Sequence, residues 1–214
     1  MMIKNSFVAI SSAAIFCLST ASSAQEPGSM SQAKKSVDVS DTISQTLNQV
    51  VRNNGGKIAM NIKSPSFTHN SEIPVRFTCE GDDVSPALSW SNIPQGSKSL
   101  ALIVDDPDAP DPAAPKMTWV HWVLYNIPPE SDGLPEAVTA AALPPGTKQG
   151  QNDWKKTGYG GPCPPIGRHR YFFKLYALDI LLPDLNKPTK TELEQAIQGH
   201  IIGKTELIGT YQKH

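Results

Sequence analysis

This sequence predicts a mainly β domain, and three stretches carry the prediction. The run LALIV at 100–104 is short, apolar and rich in branched side chains, the mark of a buried strand. Trp119 to Tyr125 is a second apolar run, and Arg168 to Tyr176 a third in which basic side chains alternate with apolar and aromatic ones. Between them lie segments dense in proline and glycine, which neither helix nor regular strand tolerates.

Taken from the N-terminus, residues 1–24 carry Lys4, an apolar run from Phe7 to Leu18 broken at Ser11 and Ser12, and the small residues ASSA at 21–24. That order reads as a secretory signal peptide cleaved after Ala24. The run is shorter than the roughly 20 apolar residues of a membrane span, and no later stretch is apolar enough to make one. Cys17 follows Phe16, where a lipoprotein signal places a small residue, so it leaves with the signal. The expected address is periplasmic or secreted. Residues 25–57 form an extension that is polar and poor in aromatics, a tether at first and then a short helix over 42–52 capped by Asp41. Its stripe of Ile43, Leu47, Val50 and Val51 has the domain or a partner chain to pack against, which leaves a homodimer open. The domain itself is set at 58–214.

Within that domain Asp105 and Asp106 fall where the first strand ends. Pro107 and Pro110 fix φ and remove two donors, so the chain leaves the sheet in a rigid turn. Period-two alternation puts Trp119, His121, Val123 and Tyr125 on one face of the second strand. The loop from Gly158 to Pro165 leads to the third strand, on which His169, Tyr171, Phe173 and Leu175 share one face while Arg168, Arg170 and Lys174 take the other. A helix is predicted inside 183–203 from Leu193, Ala196, Ile197 and Ile201 at helical spacing, with Thr191 and Glu194 as a capping box. A last strand is expected over 206–211.

The chemistry follows from these placements. His121 and His169, with Trp119 and Tyr171, offer N–H and O–H donors to an oxyanion, and loop amides at Gly160 and Gly161 add more. Asp106 accepting from one imidazole would raise its proton affinity, so that an imidazolium meets the anion. The same carboxylate also suits an ammonium group. Asp108 has two readings, a turn-former bonding nearby amides and a ligand contact. His69, His200 and His214 have no such context and read as ordinary residues. An Asp, His, His set resembles a three-ligand zinc site, but no HxxxH or HxH spacing supplies two ligands from one element, and neither metal nor cofactor is expected. Cys163 near His169 has the look of a thiol nucleophile, a role that pairing with Cys79 would abolish. In an exported chain those two cysteines make one disulfide, the alternative being two buried free thiols. A net charge of −1 without a basic run speaks against nucleic-acid binding.

The DDPDAP turn at 105–110, WVHW at 119–122 and the GRHRY approach at 167–171 together resemble the phosphatidylethanolamine-binding protein family, in its bacterial Raf-kinase-inhibitor-like branch. FTCEGDDVSPALSWSNIP at 77–94 and ELIGTY at 206–211 extend the resemblance over Ile62 to Tyr211. It implies antiparallel strands in two sheets of Greek-key type, with a C-terminal helix and a short final strand. It also implies a small anion pocket lined by Asp106, Trp119, His121 and His169 and bordered by Asp108, Pro110, Pro162 and Tyr171, with Ala109–Pro110 as a candidate cis peptide. The function so implied is non-enzymatic binding of phosphate or a phosphoethanolamine-like head group. The alternative is an interaction module that captures a phosphorylated or acidic segment of a protease or kinase. The insert DPAAPKM at 111–117 departs from the family pattern and makes a stiff rim.

Overall fold

The computed structural model describes residues 59–214. The segment read as a signal peptide, the extension and the helix expected over 42–52 lie outside the described residues. In chain order the strands are β1 (Asn61–Lys63), β2 (Ser71–Glu72), β3 (Leu88–Ser91), β4 (Ser99–Asp106), β5 (Trp119–Ile127), β6 (Gly133–Leu134), β7 (Lys148–Gln149), β8 (His169–Leu178) and, after helix α1 (Lys190–Ile197), β9 (Ile201–Tyr211). No described helix is long and apolar enough to cross a membrane.

The strands form two sheets, β1-β3-β6 and β2-β9-β8-β4-β5-β7. Every pairing is antiparallel except β2 with β9, which runs parallel. Strand β4 lies inside the larger sheet and is buried along its whole length, as a strand covered on both faces must be. One core fills the space between the sheets: Ile62, Trp90 and Leu134 from the smaller meet Leu102, Val104, Trp122, Tyr171, Phe173 and Leu175 from the larger. A second core lies on the outer face of the larger sheet, where Leu193 and Ile197 of α1 cover Ala101, Ile103, Val120, Val123 and Tyr125. The result is three layers, small sheet, large sheet and helix.

Three local expectations change, two of them near the C-terminus. The final strand is 11 residues long, not the six of 206–211, and takes in Ile201, Ile202 and Gly203. The helix ends at Ile197 and is capped two residues earlier than expected: Thr189 accepts from the Glu192 amide, while the Glu192 carboxylate accepts from the Thr189 amide. Both boxes satisfy the S/T-x-x-E spacing, but only Thr189 directly follows Pro188, which ends the preceding extended chain.

Strand β5 departs from simple alternation. Trp122 pairs with Val104, yet Val120 pairs with Asp105, so His121 is an extra residue opposite the β4 ladder. This β-bulge carries Val123 and Tyr125 to the outer core with Val120, away from the face of Trp119 and His121 on which period two had placed them. The released His121 carbonyl accepts from the Gly160 amide instead. Bulges of this kind re-aim side chains beside functional sites.

Candidate functional site

The two acidic residues at the end of β4 face opposite sides of the sheet, because successive strand residues must. Asp105 is fully buried on the helix side and held by Lys174 of β8 (2.8 Å) and Lys190 at the start of α1 (2.6 Å). Asp106 faces the other way. Its Oδ1 accepts from the Asp108 amide at 2.8 Å and its Oδ2 lies 2.7 Å from His169 Nδ1. The turn that follows contains a cis peptide at Ala109–Pro110.

His169 begins β8 and is wholly buried. Its second nitrogen, Nε2, lies 3.0 Å from the Ile166 carbonyl oxygen. Both ring nitrogens therefore meet oxygen acceptors. Nε2 is thereby placed to donate to the Ile166 carbonyl and Nδ1 to the Asp106 carboxylate, according to the tautomer. Burial raises the Asp106 carboxyl, and the His169 hydrogen bond opposes that rise.

His121 is bound differently. Nδ1 donates to the Gly160 carbonyl at 2.7 Å, which leaves Nε2 as a lone-pair acceptor, buried and without a protein partner. Burial depresses the imidazole to about 4, so at neutral pH it is uncharged. The expectation of two donor imidazoles thus gives way to one donor and one acceptor. Trp154 closes the site from the side, edge-on to Trp119 at 5.4 Å and to His121 at 5.2 Å. Its indole lies against Gly160, where an added Cβ would come within 2.6 Å of the ring.

A cavity of about 310 Å³ opens here, lined by Asp106, Pro110, Trp119, His121 and His169 among the residues anticipated, and by Ala109, Met117, Trp154, Cys163, Pro164 and Pro165 besides. Four anticipated residues stand behind this lining. Asp108 neither bonds turn amides nor faces the cavity: Oδ2 accepts from the Arg170 amide and Nε, and Oδ1 from Nη2 at 2.7 Å. That guanidinium hydrogen bond holds the Asp108 carboxyl below its usual range. The Gly161 amide donates to Asp83 Oδ1 at 2.6 Å and the Gly160 amide is committed to His121, so neither serves an anion. The Pro162 carbonyl accepts from the Cys79 amide. Tyr171 is buried against both imidazoles, its phenol pushed up by burial.

Cys79 and Cys163 form a disulfide, with Cα atoms 5.4 Å apart. While that bond stands, Cys163 is not a free-thiol nucleophile. The Asp, His, His set does not assemble as metal ligands, since Asp106 and His169 bond each other; among the described residues no group of three such side chains comes together as a metal site. Sequence reasoning missed Trp154, the single large apolar residue in the polar stretch QNDWKK, and that isolation was the available signal.

A two-sheet β domain with an apolar-walled cavity above a buried Asp–His pair defines the class. Residues 63–212 match the family model described as phosphatidylethanolamine-binding protein, and the chain belongs to that family. It is 50% identical over 155 residues to the UPF0098 protein of Methanothermobacter thermautotrophicus, covering 72% of this chain and 99% of that one. Among solved structures it is similar to CT736 of Chlamydia trachomatis, a phosphatidylethanolamine-binding protein homolog, with TM-score 0.67 and 42% identity over 73% of this chain and 99% of the other. It is also similar to E. coli YbcL, described as a new member of the mammalian PEBP family, with TM-score 0.66 and 30% identity over 72% and 99%.

Proposed function

We propose that this domain is a non-enzymatic binder of small molecules bearing a phosphate or carboxylate head group, phosphoethanolamine among them. The observation that carries the reading is the pair of unlike imidazoles beside one cavity: His169 with acceptors at both nitrogens, and His121 with a bare Nε2. A phosphate carrying one proton complements both, whereas a carboxylate supplies only the acceptor for His169. The phosphate's charged oxygen takes the His169 N–H in place of the Ile166 carbonyl, and its hydroxyl donates to His121 Nε2. Apolar walls of Met117, Trp119, Trp154 and proline lower the local dielectric and strengthen both hydrogen bonds. The signal-like segment 1–24 and the disulfide support a periplasmic or secreted protein.

Because phosphate monoesters lose their last proton near pH 6, binding in this mode takes up a proton above that pH. Affinity for phosphoethanolamine should therefore fall about tenfold per unit as pH rises beyond 6. The test is an NMR titration of metal-stripped protein from pH 5 to 8, reading the His121 and His169 imidazole signals. Saturable shifts at both rings, weakening with pH, are expected. Silence at both would overturn the assignment, and shifts seen only with added zinc would move it to a metal site.

A second reading has an observation of its own. Met117 and Trp154 of the cavity lining are exposed, as is Ile166 next to the lining residue Pro165, and the three are flanked in sequence by Lys116, Lys155, Lys156 and Arg168. Such a patch suits a protein partner, a protease or kinase for example, that presents a phosphorylated or acidic segment to the pocket. Charge reversal at Lys116 and Lys156 would weaken that partner while leaving phosphoethanolamine binding unchanged.

A further inference from the structure

The cavity wall from Cys163 to Gly167 is anchored unlike the rest of its loop. Upstream, Gly160 donates to the His121 carbonyl, Gly161 to Asp83, and the Pro162 carbonyl accepts from Cys79. Downstream, Pro164 and Pro165 have no amide to donate, and among the described residues the one hydrogen bond made by the backbone of 163–167 is the Ile166 carbonyl accepting from His169 Nε2. That stretch is fixed at its start by the Cys79–Cys163 disulfide and at its end by β8. The carbonyl so held occupies the donor that the anion needs. Both half-cystines are exposed, and Cys163 lines the cavity.

We propose that the Cys79–Cys163 disulfide is a thiol-exchange site that sets anion affinity: oxidised, it keeps the Ile166 carbonyl seated on His169, and reduced, it frees that nitrogen for the ligand. The inference rests on the binding reading above. The reductant is a dithiol, small or protein-borne. One of its thiolates attacks the sulfur of Cys163, an exposed residue, the S–S bond breaks, and Cys79 leaves as a thiolate that takes a proton. The dithiol's second thiolate then attacks its own partner sulfur in the mixed disulfide, Cys163 leaves as a thiolate that takes a proton, two electrons have passed to the protein, and the reductant departs as a disulfide. Reduction leaves the upstream hydrogen bonds, and with them the Gly160 contact to His121, in place.

The experiment measures inorganic phosphate affinity at pH 6 by NMR titration. It compares the oxidised protein, the protein held reduced in excess dithiothreitol, and a C79S/C163S variant. Hydrogen exchange over 158–168 and the His169 ring-nitrogen shift are read in the same samples without phosphate. The reduced and variant forms should bind phosphate on the order of tenfold more tightly, the worth of one hydrogen bond to a charged group. Exchange should stay unchanged at 160–161, whose amides keep their partners, and the Nε2 shift should move. Equal affinity in oxidised and reduced forms would overturn the switch while the binding site stands. Absence of phosphate binding in every form would overturn the binding reading and the switch with it. A reduced protein that binds more weakly, or that unfolds, would show the disulfide to be a structural staple and likewise overturn the proposal.

Discussion

At His121 the fold depresses an imidazole to about 4 through burial, against an unperturbed value of about 6.5. The unfolded chain takes that proton first. The stabilisation is whole above pH 6.5, shrinks as pH falls toward 4 and is gone below, amounting to about 3 kcal/mol. Urea unfolding at pH 7 and pH 4.5 should show this loss, and H121F should flatten it, the difference between the two proteins cancelling carboxylates that titrate nearby. That His121 lines the cavity was legible from W-x-H on an apolar strand. Which nitrogen it offers was not, because the Gly160 carbonyl that takes Nδ1 lies 39 residues away. Asp108 shows the same limit: its Arg170 partner is 62 residues off, and a turn residue read alone has only its neighbours to bond.

Elements built on local rules were the more readable ones. Strand β8 alternates as its sequence does, buried at His169, Tyr171, Phe173 and Leu175. Strand β5 does not, because a bulge is decided by the partner ladder and leaves no period in the strand that carries it. Helix α1 combines both kinds of information. Its capping box is local, and T189A should cost about 1 kcal/mol in urea unfolding. Its attachment through Lys190 to Asp105 joins residues 85 positions apart and was invisible in sequence. Asp105 is fully buried and its two lysine partners are largely so. D105A, which strands two ammonium groups, should cost about 3 kcal/mol, more than the cap. The reverse ranking would mean that α1 is held by its own first turn rather than by the sheet.

For the whole molecule, motif order and two-sheet architecture were legible because the motifs are spread over most of the domain, each ending at a strand or turn. The disulfide was half legible: export and an even cysteine count favoured it, but the 5.4 Å Cα separation is a product of the fold. It closes a loop with a sequence separation of 84, for which chain entropy gives about 4 kcal/mol of stabilisation. The C79S/C163S variant should lose about that much in urea, measured against the oxidised protein. The opposed carboxylates of β4 carry a different lesson, one for gene and protein engineering. Asp106 serves the cavity and Asp105 the helix solely because they are one residue apart on a pleated strand, so a single-codon insertion or deletion upstream in β4 would exchange their faces. An insertion would bring the lysine-bound acid to His169, and a deletion would drive the cavity's acid under α1.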